Sequence, residues 1–506
     1  MKEECILAHD VGTTSDKAIL VNLSGEIVSS AQENYDVQYP KPTWAEQSVE
    51  TLWRAVCKTT RETLKKAGVS PEDVCGISFS AQFPSTILLD KEGKPLRPCI
   101  IWLDGRAESQ AEWLQRTLGI EFIYERTGQV VCSKSVISRI LWLKENEPTI
   151  FNKASKIIDL KDYIEYRLTG NFVTDWSCAS QSAFFDIRRK EWVEELCETI
   201  ELSVDKLPEL HSSIDVIGEI TDEGAKEIGL KKGTPVIAGG GDNACVAVGA
   251  GSTREGGTHL CVSTSAWIGV SSEKFILDPK KRLFTICHID PRKWLYNVGI
   301  DTAGNCLSWF INELGEGIIR RARERGVSPY RELDIEAEDA DAGSMDLFFV
   351  PYLFGGRASV LDSDIRGGFI GLTLNHKRSH MARAILEGIA YHFRWLVEAL
   401  ETLGFKIEKL NMVGGGALSK IWSQIFADVI SRPVDLLKYP LESGALGAAY
   451  TTAVGLKIIR DIEEVDDLVP KKMRITPNPA NLTRYNRMYE RFKALCLALT
   501  KFYQAT

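Results

Sequence analysis

The chain has 506 residues, 44% of them apolar and 26% charged, with 61 Lys+Arg against 69 Asp+Glu for a net charge of −8. Such a composition is that of a globular chain with room for two to four domains of about 150 residues each, and its acidity argues against a general affinity for nucleic acid or anionic membrane. No apolar run approaches the roughly 18 residues of a membrane helix, and residues 5–8, after Met1-Lys2-Glu3-Glu4, are too few for a signal-peptide core, so a cytoplasmic protein is expected.

The pattern opens as three short strands, over 5–9, 17–22 and 26–31, joined by tight polar turns. A helix is predicted over 49–66, where Leu52, Val56, Thr60, Thr63 and Leu64 recur at helical spacing; Gly68 ends it and Pro71 prevents its return. Strands at 74–80 and 87–89 and a helix at 105–118 follow. Residues 121–230 read as mostly helical. A strand at 235–238 leads into Gly239-Gly240-Gly241-Asp242-Asn243, and strands at 259–262 and 267–270 flank Ser263-Thr264-Ser265. That strand–turn–strand unit echoes residues 10–17 and suggests two related halves meeting near residue 252. The second half continues with a charged stretch at 320–341, expected to be exposed, then a strand at 347–351 and a long helix at 379–403. A strand at 410–413 and a helix at 419–430 close the pattern. Twelve scattered cysteines form no CxxC pair and are expected to be reduced, buried thiols.

Three segments have the small, hydroxyl-rich character that lets backbone N–H groups face a phosphate. In the first, Gly12 allows close approach, Thr13, Thr14 and Ser15 offer hydroxyls, Lys17 meets negative charge, and Asp10 can hold Mg²⁺ through water. A plain polar hairpin turn fits the same residues. Ser263-Thr264-Ser265 on its own reads as a turn. Gly414-Gly415-Gly416 suits either a nucleotide contact or a simple helix entry. No Walker A loop and no GxGxxG after a strand is present. Asp242, delivered by three glycines at a strand end, can take a proton from a hydroxyl or cap the helix that follows. Trp102, Asp104 and Arg106 group an aromatic face with hydrogen-bonding neighbours suited to a polyol, or else cap a helix. His376 and His380 lack a third ligand and the Glu of a zinc motif, so no metal centre is expected there.

Assembled in order, these pieces resemble the FGGY family of carbohydrate kinases, most closely its xylulokinase branch. The series runs from Asp10-Val-Gly-Thr-Thr through Trp44-Ala-Glu-Gln47, Trp102-Leu-Asp-Gly-Arg106, Lys161-Asp162-Tyr163 and Gly239 to Asn243. It continues with Pro351-Tyr-Leu-Phe-Gly-Gly-Arg357, Arg366 to Leu372, Glu387-Gly388, Gly414 to Ala417 and Ser443 to Ala449. The resemblance implies an α/β fold of two actin-like/RNase H-like ATPase domains with an interdomain cleft. Residues 1–252 would form the sugar-binding domain with the catalytic base, and 253–506 the nucleotide-binding domain.

It also implies transfer of the γ-phosphoryl group of ATP, with Mg²⁺, to a sugar hydroxyl. Asp242 is then the general base and Asp10 the metal-associated carboxylate. Gly12, Thr13, Thr14, Ser15, Lys17, Thr264, Gly304, Ser308, Gly415, Gly416 and Lys420 face the nucleotide. Gln82, Phe83, Trp102, Asp104, Arg106, Asp242 and Asn243 face the sugar. A ketopentose such as xylulose is favoured, with another ketose, a polyol or a sugar acid as rivals, and a non-catalytic sugar- or nucleotide-sensing protein as the alternative class. The expected partners are the sugar or polyol and ATP, with no nucleic acid and no membrane, and a homodimer is compatible. Departures fall on the sugar side. The Met-His usual in xylulokinases reads Phe83-Pro84, their Trp-Asn-Asp reads Trp102-Leu103-Asp104, and their Gly-Thr-Ser-Gly reads Ser263-Thr264-Ser265-Ala266.

Overall fold

The computed structural model describes residues 4–355 and 365–504, so Gly356 and Arg357 of the Pro351 motif lie outside the described residues. The opening meander forms as its alternation dictates: β1 (Cys5–Val11), β2 (Ser15–Asn22) and β3 (Ile27–Asn34) pair antiparallel. Period-two alternation buries both faces of β1. Leu7 joins the apolar cluster under α1 (Val49–Ala67), whereas Ile6 and Ala8 join a second cluster on the opposite face. The side chain of Ser48 accepts from Thr51 N–H at the start of α1, and Gly68, at φ 66°, takes the left-handed conformation that ends it. β4 (Val74–Ala81) then returns parallel to β1.

Further along the first half lie α2 (Leu160–Thr169), β5 (Val216–Glu219), β6 (Pro235–Ile237), β7 (Gly240–Gly241) and α3 (Asp242–Gly249). The second half supplies β8 (Thr258–Val262), β9 (Ala266–Ser272), β10 (Phe284–Cys287), β11 (Trp294–Ile300) and α4 (Gly304–Leu314). It ends with α5 (Arg378–Thr402), β12 (Leu410–Val413), α6 (Lys420–Ile430), β13 (Val434–Leu437), α7 (Ser443–Gly455) and β14 (Lys471–Ile475).

The first sheet runs β5-β6-β4-β1-β2-β3 and the second β10-β11-β9-β8-β12-β13-β14. In each, an antiparallel meander is followed by two parallel strands and an antiparallel edge. The faint internal echo of the sequence is thus a repeated strand order. Between the sheets lie α3 and α7, whose small residues Ala244, Ala247, Ala445 and Ala448 share one apolar cluster with Ile6 and Ile19 of the first sheet and Val413 and Leu437 of the second.

Two stretches differ from expectation. Residues 121–230 are not mostly helical: helices of modest length alternate with short strands such as Val173–Asp175, which pairs with Glu209–His211. Pairing across some 35 residues leaves no local period to read. The charged stretch 320–341 is not simply exposed. It lies mainly within helices Glu316–Arg325 and Pro329–Glu338, where Arg321 meets Glu332 at 2.5 Å and Glu336 at 2.6 Å, so that Glu332 is buried. All twelve cysteines are thiols outside any disulfide, ten of them buried. Among the described residues, no helix is long and apolar enough to cross a membrane.

Candidate active site

Strand register brings two carboxylates to one edge of the first sheet. Asp10 lies opposite Ser80, and β7 sets Gly240 opposite the same Ser80 from the other side. At about 4.8 Å per strand, Asp10 and Gly240 are about 10 Å apart across β4, with Asp242 two residues further on. Ser80 donates to Asp10 Oδ1 at 2.7 Å. Burial raises the Asp10 pKa despite that bond and the nearby Lys17. The turn beyond Asp10 is closed by Gly12 N–H donating to Ser15 O at 2.9 Å, and by Tyr35 O–H donating to Gly12 O at 2.7 Å. Thr14 is exposed, while Gly12, Thr13 and Ser15 are half-buried.

The second half reaches directly into this corner. Lys17 Nζ donates to Leu441 O at 2.9 Å and stands 3.5 Å from Glu442 Oε1, just ahead of α7. A Cβ at Gly444 would lie 2.7 Å from Asp10 Cγ, so the first turn of α7 packs on the carboxylate itself. Burial, then Asp242 and Asp10, push the Cys261 thiol up, which puts β8 within the field of both acids.

Asp242 opens α3, with Asn243 N–H donating to its Oδ1 at 2.7 Å. Its pKa is raised to about 7, first by burial and then by the charge of Asp10. The three glycines before it are demanded by their neighbours. Gly239 has φ 61°, and Cβ atoms at Gly239, Gly240 and Gly241 would lie 2.3 Å from Phe79 O, 2.7 Å from Ile289 Cδ1 and 2.5 Å from Phe83 Cε1.

The residues expected to face the sugar divide into two groups. Trp102 Nε1 donates to Thr13 Oγ1 at 2.9 Å, which ties the aromatic to the phosphate-like turn. Gln82 Nε2 donates to Gln47 Oε1 at 2.7 Å, Gln47 in turn donates to Thr13 O at 2.8 Å, and Gln82 Oε1 is buried without a partner. Phe83 packs on the glycine run and Asn243 is half-buried beside Asp242. Asp104 and Arg106 are instead turned inward. Arg106 donates to Asp104 Oδ1 at 2.9 Å and Oδ2 at 2.7 Å and to Glu46 Oε1 at 2.6 Å, with its guanidinium 3.8 Å from the Trp44 ring centroid. Ala45 N–H donates to Asp104 Oδ2 at 2.6 Å.

On the second sheet the corresponding turn follows β8. Ser263 and Thr264 are exposed. Gly304 N–H donates to Ser263 O at 2.9 Å, and a Cβ there would lie 2.3 Å from that oxygen, so α4 starts against the turn. Ser308, one turn into α4, hydrogen-bonds with Tyr330 O–H at 2.9 Å. The turn after β12 presses Gly414 and Gly416 on Val262, whereas a Cβ at Gly415 would meet nothing within 4 Å. Lys420 begins α6 and is exposed. The structure therefore gathers Asp10, Gly12–Lys17, Asp242 and Trp102 at one sheet edge, and Thr264, Gly304, Gly415 and Gly416 at the matching edge of the other.

Residues 5–249 match the N-terminal domain of the FGGY family of carbohydrate kinases, and 260–456 match its C-terminal domain. The xylulose kinase of Lactococcus lactis is 33% identical over 494 residues, 96% of this chain and 95% of its own. The gluconokinase of Bacillus subtilis is 31% identical over 500 residues, 98% and 96%. This chain belongs to the FGGY family of carbohydrate kinases. A ligand-bound xylulose kinase structure from Lactobacillus acidophilus superposes with a TM-score of 0.90 at 27% identity, covering 99% of each chain. This FGGY chain accordingly has two actin-like ATPase domains and is an ATP-dependent sugar kinase.

Several residues that shape the candidate site carry no local signal in the sequence. Ser80 carries no signal of its own, because only strand register brings it to Asp10. Gly444 lies within the Ser443–Ala449 piece, but nothing local says that a helix of the second half covers a carboxylate of the first. Tyr330 is separated from Ser308 by 22 residues, beyond any helical or strand period.

Proposed function

We propose that this kinase phosphorylates a hydroxyl of a ketopentose, xylulose being favoured, with Asp242 as general base. The observation that carries the reading is a half-buried carboxylate at a sheet edge, with a pKa near 7, across β4 from a second carboxylate. An acid poised near the working pH combines the ionised state with a useful proton affinity. The sugar oxygen attacks the γ-phosphorus of ATP, its proton passes to Asp242, and the bond from phosphorus to the β-phosphate oxygen breaks to release ADP. Residues 1–252 and 253–506 are taken as the two domains.

The donor set at Asp10 fits Mg²⁺, an ion that takes one or two protein carboxylates together with water and phosphate oxygens. When bound, the ion neutralises phosphate charge during transfer. Thr13, Thr14 and Ser15 offer hydroxyl and N–H groups on the first side, and Thr264, Gly304, Ser308, Gly415, Gly416 and Lys420 line the nucleotide side. Lys17, bonded to Leu441 O, holds α7 against the turn.

A neutral sugar suits the substrate side because the buried guanidinium groups of Arg106 and Arg139 give most of their donors to protein oxygens, only Arg106 Nη1 and Arg139 Nε being without a partner. Arg106 is held by Asp104 and Glu46, and Arg139 donates to Pro84 O and Ile101 O at 2.9 Å each. Gln82, through its unpartnered Oε1, and Asn243 remain as neutral polar partners, with the Trp102 ring as an aromatic face. One observation favours a sugar acid instead: Lys134 Nζ stands 5.6 Å from the Trp102 ring centroid. ADP release with ATP–Mg²⁺ over ketopentoses, ketohexoses, pentitols and aldonic acids decides between them. The highest kcat/KM is expected with a ketopentose. A preference for gluconate that is lost in Lys134→Met overturns the sugar assignment and leaves the base untouched. Trp102→Phe, which removes the indole N–H from Thr13, is expected to raise the sugar KM about fivefold, the equivalent of one hydrogen bond of about 1 kcal/mol; steady-state kinetics with the preferred sugar measure it.

A further inference from the structure

Lys161 on α2 is fully buried. Its ammonium donates to Glu165 Oε1 and Oε2 at 2.9 and 3.0 Å and to Ala238 O at 2.8 Å, and it stands 3.3 Å from Asp175 Oδ1 and 3.5 Å from Asp162 Oδ1. Ala238 is the residue immediately before the three glycines. The other oxygen of Asp175 accepts from Ser177 N–H at 2.7 Å, from the Ser177 hydroxyl, and from the Ser213 hydroxyl at 2.9 Å. Ser177 Oγ in turn accepts the N–H of Gly241 at 3.0 Å, and Gly241 is the residue immediately before Asp242.

Both ends of the glycine run are therefore tied to one buried charge cluster. Glycine has no side chain with which to anchor itself and carries the largest backbone freedom of any residue, so three in succession leave the following carboxylate dependent on outside restraint. A buried ion cluster is a poor way to gain stability, since apolar side chains of similar volume do as well or better. This one is placed where its hydrogen bonds hold Ala238 and Gly241. Burial pushes the Asp162 carboxyl to about 7 and the Glu165 carboxyl well above the usual range. Burial also opposes the Lys161 charge, but Glu165 and Asp175 outweigh it and keep the ammonium protonated.

We infer that the Lys161–Asp175–Ser177 relay is a positioning device for the reaction, fixing the Gly239–Gly241 run so that the Asp242 carboxylate meets the reacting hydroxyl. The inference rests on the reading of Asp242 as the base. Lys161, Asp175 and Ser177 touch no substrate in this scheme and act through the loop.

The test uses the full chain with the sugar turned over best in the panel, comparing Ser177→Ala, Lys161→Met and Lys161→Arg, each alone and combined with Asp242→Asn. A displacement of about 1 Å at a reacting group can cost about a hundredfold, so Lys161→Met is expected to lower kcat about a hundredfold and Ser177→Ala about tenfold. Both KM values should stay within about twofold, and Lys161→Arg should recover part of the loss. In the Asp242→Asn background, neither change should lower the residual rate further. Variants that melt like wild type and keep kcat within about twofold overturn the inference, as does a loss that adds in full to that of Asp242→Asn. If Lys161→Met does not fold, Ser177→Ala decides. An Asp242→Asn parent with wild-type kcat overturns the base reading instead; a deficient Asp242→Asn beside intact relay variants overturns the relay alone.

Discussion

Asp242→Asn is expected to lower kcat by about 10²- to 10⁴-fold, the range a positioned general base contributes, with ATP affinity unchanged. In the wild type, activity should rise with pH through an apparent pKa near 7, because the base acts only when ionised and burial with the Asp10 charge holds it near 7. That limb should vanish in Asp242→Asn. In Asp10→Asn it should move to lower pH, since the Asp10 charge is one of the causes that raise it, after burial and ahead of Asp159. The stability consequence has the opposite sign. A carboxyl whose folded pKa is raised binds a proton on folding between its ordinary value and about 7, so its contribution falls as pH rises through that window. The melting temperature of Asp242→Asn relative to wild type should therefore climb from acidic pH up to about 7 and level off above it. Steady-state kinetics and melting curves across pH check both parts. A pH-independent wild-type rate would remove Asp242 from the base role.

Gly447→Val is expected to damage stability and activity together. Helices α3 and α7 cross at glycines: a Cβ at Gly447 would lie 1.8 Å from Cys245 O, and one at Gly249 would lie 1.9 Å from Ser443 O. These are backbone atoms, so the helices must separate rather than a side chain rotate. Overpacking of this kind costs about 3 kcal/mol. The displacement also moves Gly444, which packs on the Asp10 carboxylate, and loosens the apolar cluster that joins the two sheets. The expected results are a lower urea midpoint and a kcat reduced more than about tenfold in the folded fraction, since alignment at the phosphate is disturbed. A variant with wild-type midpoint and kcat would show that α7 tolerates displacement.

Legibility in the sequence followed the range of the interactions. The meander, α1 with its Gly68 stop, β4 and β12 each leave a local period or a turn residue, and the structure has them within a few residues of the predicted bounds. Residues 121–230 failed because short strands such as Val173–Asp175 find their partners far along the chain. The charged helices near residue 330 failed because arginine–glutamate pairing between them lets Glu332 be buried, which composition alone argues against. In the candidate site, the settings of Asp10 and Asp242 at strand ends are legible locally, whereas Asp104 and Arg106 are legible as a cluster without any sign that they bond to each other.

The sequence by itself determined the family, the duplicated strand–turn–strand units and the chemistry available at them, because glycines, hydroxyls and carboxylates at strand ends are written locally. It did not determine which groups meet. Parallel register set Asp10 and Gly240 on either side of Ser80, the crossing of α3 and α7 brought Gly444 to Asp10, and a buried lysine linked α2 to the loop ahead of Asp242. Those contacts join residues 60 to more than 400 positions apart. They depend on three-dimensional packing, and so does the raised pKa of Asp242, since burial and the field of a neighbouring charge exist only once the chain has folded.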